Sequence, residues 1–133
     1  INKAINNLPI PVYGEGLNVR DWIYVKDHCI AIDLIVRNAE DGTIYNIGGN
    51  TELKNIDLIN LLLELMKKPK SLVNFIADRK GHDLRYSINY NKIKLELGWT
   101  PKKNFHKGLE ETIDWYKNNK KWIIKLTKKV ENL

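Results

Sequence analysis

Three of the four arginines in this chain stand in two short polar segments, Arg20 in NVRDW and Arg79 and Arg85 in DRKGHDLRY, while 18 lysines are scattered along its length. A guanidinium differs from an ammonium by its planar fork, which makes two parallel hydrogen bonds to a carboxylate or a phosphate. Arginine kept at these places in a lysine-rich chain points to bidentate recognition. The segment Asp78 to Tyr86 adds Lys80, His82 and Asp83 around Gly81. Upstream, Tyr13 sits in the turn VYGEG, where Gly14 and Gly16 allow close backbone approach. Together these residues suit a ligand with a diphosphate, a sugar and a flat base. Arg20 and Arg79 would fork onto phosphate oxygens, Tyr13 would meet the base, and Asp78 and His82 would bind hydroxyls. A purely structural arrangement fits equally well, with Arg20 paired to Asp21 or Asp27 and Arg79 to Asp78 or Asp83. Spacing alone leaves both open.

Other chemistries find less support. The chain has no nucleophile elbow G-x-S-x-G and no P-loop, and neither GEG at 14–16 nor NIGGN at 46–50 completes a dinucleotide fingerprint. Tyr-x-x-x-Lys occurs twice, at Tyr90/Lys94 and Tyr116/Lys120, but six tyrosines among so many lysines produce about one such spacing by chance. No catalytic residue is assigned. The three histidines share no helix face, and although Asp78, His82 and Asp83 could gather round a cation, no metal site is assigned.

The elements that would position the arginines follow from the pattern. Residues 1–8 read as the end of a helix, and Pro9 and Pro11 then impose an extended course. VRDWIYV, residues 19–25, reads as a strand. Asp27 is expected to cap a helix to Asn38 that is apolar on nearly every side and so buried on more than one. TIYNIGG, residues 43–49, reads as a buried strand. An amphipathic helix follows from Asn55 or Asp57 to Lys68, with Leu58, Ile59, Leu61, Leu62, Leu65 and Met66 inward and Pro69 as its stop. VNFIA is a short strand leading into the charged loop. Asn91 caps a brief helix closed by Gly98, and a last helix runs from His106 to Lys120, with a restart after Trp122. Alternating strands and helices indicate an α/β fold, mostly helical with a few short strands, in a single unit over residues 1–133.

The order PVYGEGLNVRDWIYVKDH, IYNIGGNTELKN, ADRKGHDLRYSINYNKIKLELGWTP and ETIDWY resembles the C-terminal part of dTDP-glucose 4,6-dehydratases, NAD-dependent members of the extended short-chain dehydrogenase/reductases. The first motif is shared by many sugar-nucleotide epimerases and dehydratases. DRKGHDLRY is narrower and resembles the D-R-x-G-H-D-x-R-Y of the dehydratase, a loop that closes over the nucleotide end of the substrate. By position, the resemblance implies substrate contacts from Pro11, Val12, Tyr13, Arg20, Asn55, Asp78, Arg79, Lys80, Gly81 and His82. Val12 stands where Ile or Leu is commoner, and Lys80 where proline is frequent.

The family reaction makes the protein a lyase of deoxysugar biosynthesis. NAD takes hydride from C4 of the glucose, water leaves across C5–C6, and the hydride returns to C6 to give dTDP-4-keto-6-deoxyglucose. The groups that do this lie upstream in the family. The resemblance therefore implies a substrate-binding portion without the Rossmann half, inactive alone and binding no NAD by itself. The partners it implies are a dTDP-sugar, the N-terminal NAD-binding half and a second copy in a homodimer. The chain opens on Ile1 and holds one methionine, Met66, so it reads as a piece of a longer protein. A different sugar-nucleotide epimerase or dehydratase, and a stand-alone anion-binding or assembly module, are the alternative readings.

Composition bounds the rest. With 43% hydrophobic and 29% charged residues the chain has the balance of a globular domain. Its net charge of +6 comes from dispersed lysines, which argues against a nucleic-acid partner. The single cysteine, Cys29, and the absence of a long apolar run point to a cytoplasmic protein without a membrane partner.

Overall fold

A computed structural model describes residues 1–130. A short helix α1 (Asn2–Ile5) leads into strand β1 (Ile10–Tyr13), and β2 (Val19–Asp21) follows a two-glycine turn. Helix α2 (Val25–Asn38) precedes β3 (Glu52–Lys54), which runs directly into α3 (Asn55–Leu65). Then come β4 (Val73–Ile76), α4 (Asn91–Leu97), α5 (Phe105–Asn118) and α6 (Lys120–Val130). The strands form two small sheets. β1 pairs in parallel with β4, Ile10 opposite Val73 and Tyr13 opposite Ile76, and β2 pairs antiparallel with β3, Arg20 opposite Leu53. A single parallel bridge sets Arg85 against Val19.

Two apolar clusters hold these pieces. One joins α1, α3 and α5 through Ala4, Leu62, Leu63, Met66 and Ile113. The other joins α2 to α4 and its sequel through Ala31, Ile93 and Trp99, with the Tyr90 ring edge-on to Trp99 at 5.9 Å.

Several expectations need correction. The strand expected over 19–25 keeps only Val19–Asp21. TIYNIGG forms no strand: residues 43–49 pair with no neighbour among the described residues, and Tyr45 and Ile47 pack on the second cluster instead. Asp27 does not cap α2, which begins two residues earlier. Buried at 7% exposure, its carboxylate accepts the backbone N–H groups of Lys102 and Lys103 at 3.0 and 2.8 Å. The reason is that the turn at 101–103 has inward-facing donors with no strand or helix to take them. Helix α2 buries one face only, leaving Val25, Ile30, Ile32 and Val36 exposed. Helix α3 stops at Leu65, earlier than expected, with Lys67 in the left-handed region. Its most buried residue is Leu63, which the inward-facing stripe had omitted. At α4 the N-cap position falls on Tyr90 rather than Asn91, and Asn89 Oδ1 before it accepts the N–H of Asn91, while Gly98 closes the helix at φ 67° as expected. The last helix breaks at Asn119 and restarts at Lys120, before Trp122.

Leu63 is fully buried where α3 meets α1 and α5. Leu63→Ala should therefore lower the unfolding free energy by about 2–5 kcal/mol, the range for a truncated core leucine. Leu95, 83% exposed on α4, should tolerate the same change within about 0.5 kcal/mol. Urea unfolding of both variants checks the contrast.

Candidate functional site

The segment 77–86 is fixed at both ends. At its start the β1–β4 pair is extended by the N–H of Gly14 donating to the Ile76 carbonyl at 2.8 Å. At its end the N–H of Val19 donates to Leu84 O at 2.7 Å and the N–H of Tyr86 to Val19 O at 3.1 Å. The turn between β1 and β2 needs its glycines. Gly16 has φ +72°, and a Cβ there would lie 2.8 Å from Val12 Cγ1 and 2.9 Å from Ile56 Cβ. Asn18, buried at 5% exposure, ties three elements together. Its Nδ2 donates to Asp83 O at 3.2 Å and its carbonyl accepts the N–H of Asn55, the first residue of α3, at 3.0 Å.

Within these ties Arg20, Arg79, Lys80, Gly81, His82, Asp83 and Tyr86 line a cleft of about 290 Å³. Arg20 donates through Nη1 to Val19 O at 2.7 Å and through Nη2 to Asp83 O at 3.0 Å, and its Nη2 lies 3.0 Å from His82 Nε2. Its guanidinium also lies over the Tyr86 ring, 4.4 Å from the centroid. Arg79 stacks over the Tyr13 ring at 4.9 Å, and among the described residues its guanidinium has no hydrogen-bond or ion-pair partner. His82 places Nδ1 2.6 Å from Asp78 Oδ1 and its ring edge-on to Tyr13 at 5.9 Å.

The structural alternative for the arginines now has an answer, because each nearby carboxylate serves another group. Asp21 accepts from the N–H groups of Gly49 and Thr51 at 3.0 and 2.9 Å. Asp27 serves Lys102 and Lys103. Asp78 takes His82 and the Arg79 backbone N–H, and the Asp83 carboxylate accepts the Tyr86 hydroxyl. Arg85 is the arginine of this region that is internally paired, bidentate to Glu52 at 2.7 and 2.8 Å, with Ser87 also on that carboxylate. These bonds set the electrostatics. The hydrogen bond from His82, then that from the Arg79 N–H, holds the Asp78 carboxyl below its ordinary range. Arg85 and Ser87 do the same for Glu52, and the hydrogen bond to Asp83 pushes the Tyr86 phenol upward.

Of the ten expected contact residues, Arg20, Arg79, Lys80, Gly81 and His82 line the cleft. Tyr13 and Asp78 stand directly behind it through the Arg79 and His82 contacts. Val12 is 3% exposed, which leaves its main chain as the group to offer a ligand, and Pro11 lies beside it on β1. Asn55 is held off the cleft, beyond Asn18. Sequence reasoning missed Asn18, Asp83 and Tyr86 as site residues, although the last two stand inside the quoted motif. Asp78, His82 and Asp83 do not converge, and the described residues hold no group of three metal-ligating side chains. A second cavity, about 280 Å³ among Trp22, Leu58, Leu62, Phe105 and Leu109, is mainly apolar. Its Asp27 and Lys103 are already engaged, the latter with Glu111 at 2.6 Å, so it offers nothing to an anion.

A dinucleotide cradle needs glycines facing open space. Here a Cβ on Gly48 would meet Asp21 Oδ2 at 2.7 Å and one on Gly49 the Trp22 carbonyl at 1.9 Å, so the chain's own atoms fill both approaches. These residues do not fit an NAD pyrophosphate.

The family model described as GDP-mannose 4,6 dehydratase matches residues 1–112. The dTDP-glucose 4,6-dehydratase of Streptomyces antibioticus is 43% identical over 129 residues, covering 97% of this chain and 38% of its own length. The crystal structure of the dTDP-glucose 4,6-dehydratase of Bacillus anthracis in complex with NAD superposes with a TM-score of 0.83 at 44% identity, over 91% of this chain and 38% of that one. The Streptomyces venezuelae dTDP-glucose 4,6-dehydratase DesIV, with NAD and TYD bound, gives 0.86 at 43% over the same shares. The chain thus spans well under half the length of the relatives it matches. Its mostly helical architecture with few strands is that of the C-terminal part of an extended short-chain dehydrogenase/reductase.

The Glu52–Arg85 pair clamps β3 to the end of the loop, and its pH response has a definite sign. A carboxyl lowered in the folded state contributes stability above its ordinary value, 4.5 for Glu52, and loses it as pH falls through the lowered one. The Glu52 carboxyl carbon should titrate below 4.5 in a ¹³C pH titration, and Arg85→Ala should move the midpoint back up.

Proposed function

The chain belongs to the GDP-mannose 4,6 dehydratase family, and from that membership we propose that it is the nucleotide-sugar-binding part of a dTDP-glucose 4,6-dehydratase. The observation that carries this reading is the pair of guanidiniums, Arg20 and Arg79, at one cleft with no carboxylate on either among the described residues. Two forks held by carbonyls and aromatic faces keep donors available, and a diphosphate supplies the acceptors they lack. Lys80 adds a further positive charge at the rim. Tyr13 and the backbone of Pro11 and Val12 meet the nucleotide, and the loop from Asp78 to His82 completes the cover.

The whole enzyme would be a lyase that removes water from dTDP-glucose to give dTDP-4-keto-6-deoxyglucose, with no net change of redox state. This chain's part is to bind and orient the nucleotide end. NAD and the groups that move hydride and protons belong to an N-terminal half outside these residues, so the chain alone is inactive. The complete protein would be a cytoplasmic homodimer. Residues 1–133 act as one unit that needs that half, because α2 shows Val25, Ile30 and Val36 to solvent and Ile44 is 81% exposed on a stretch without a strand partner among the described residues. Apolar faces of this kind fit a neighbouring layer of helix and sheet.

Two experiments test the reading. Calorimetric titration of the complete polypeptide with dTDP should show Arg79→Lys weakening binding by about 1.5–3 kcal/mol, the scale of a hydrogen bond to a charged group, with Arg20→Lys comparable. Unchanged affinity in both variants would remove the arginines from the site, and preference for UDP- or GDP-sugars in competition would move the assignment to another enzyme of the superfamily. Made alone, the 133-residue chain should self-associate in sedimentation velocity and gain stability when the N-terminal half is supplied in trans. A monodisperse monomer indifferent to that half would favour a stand-alone binding module.

A further inference from the structure

Arginine has donors and no acceptor, so whatever stands 3.0 Å from Arg20 Nη2 must offer a lone pair. That atom is His82 Nε2, which therefore carries no proton in this arrangement. The other ring nitrogen lies 2.6 Å from Asp78 Oδ1, which as a carboxylate oxygen only accepts. Nδ1 must then bear the hydrogen. These two contacts together fit the Nδ1–H tautomer of the ring, whereas a free neutral imidazole in water prefers Nε2–H. The side chain is 6% exposed, so little of the ring meets water. Around it stand Asp78, Arg79, Lys80 and Asp83 from its own loop, Tyr13 from β1, Arg20 from β2 and Tyr86. A proton on Nε2 would set two donors and two positive charges face to face with no carboxylate between them.

We propose that Asp78 is a positioning residue that acts on the anion site through His82. Its carboxylate fixes the imidazole tautomer, the Nε2 lone pair then takes one N–H of Arg20, and the guanidinium is held over Tyr86 at the cleft. Each bond in the line depends on the one before it. Asp78 Oδ1 also accepts the Arg79 N–H at 2.8 Å, so the same oxygen anchors the backbone that carries the second arginine. The tautomer is independent of what the site binds; only the effect on binding rests on the nucleotide reading.

Long-range ¹H–¹⁵N correlation on the complete, histidine-labelled polypeptide at neutral pH tests the line, with the His82 signals identified by their loss in His82→Gln. The expected result is an unprotonated Nε2 and a protonated Nδ1. Asp78→Ala should release the ring from that tautomer, whereas Asp78→Asn, whose amide oxygen still accepts, should preserve it and shows that the loop remains folded. With dTDP as the probe, Asp78→Ala should bind about tenfold more weakly, the scale of one charge-assisted hydrogen bond, and Asp78→Asn should recover most of the loss. An Nε2–H ring or an imidazolium in the parent protein, or a tautomer unchanged in Asp78→Ala, would overturn the proposal. So would parent-like dTDP affinity in Asp78→Ala. If the tautomer responds as expected but the parent protein binds no dTDP, the nucleotide reading fails and the hydrogen-bond line stands.

Discussion

The site rests on one constraint, the attachment of a ten-residue polar segment at both ends to the β1–β2 turn. Four parallel residue pairs with β1 deliver the chain to Asp78, and two backbone hydrogen bonds to Val19 receive it at Leu84 and Tyr86. A loop of this length left free would spend most of its time away from any single geometry, since each ordered residue costs about 1–2 kcal/mol of conformational entropy. Backbone pairing at both ends meets much of that cost, and Asn18 adds a third tie from inside. The side chains then need only short hydrogen bonds to reach their places.

Charge balance inside the site follows from that geometry. The segment contains as many aspartates as arginines, so composition alone predicts neutralisation. The fold prevents it by engaging each aspartate elsewhere. Asp78 holds a histidine ring and a backbone N–H, and Asp83 holds a tyrosine. Arg85, pointing the other way, is neutralised by Glu52 and serves as a brace. What remains at the cleft is two guanidiniums resting on tyrosine faces, which is the polarity an anionic ligand requires. Relatives that share this architecture at more than 40% identity are dehydratases solved with NAD. In this chain the glycines of the NIGG stretch are packed against Asp21 and Trp22.

Much of this was legible in the sequence, and the reason is range. Apolar spacing with Pro69 gave α3 within three residues of its end, and Gly98 at a left-handed φ closed α4 where the pattern placed it, because both depend on neighbours within one turn. The selective use of arginine and the motif from Asp78 to Tyr86 pointed to the candidate cleft, since the chemistry of a planar fork is a property of the residue itself. What spacing could not decide was whether Arg20 and Arg79 meet carboxylates or a ligand. That depends on where Asp21 and Asp27 point, and both turn to backbone donors at least 28 residues away in the chain. Among the described residues, tertiary structure alone also left 43–49 without strand pairing, uncovered one side of α2 and buried Leu63. Strand pairing, burial and the allocation of carboxylates are all settled by contacts distant in sequence, and local patterns carry no record of which distant group arrives.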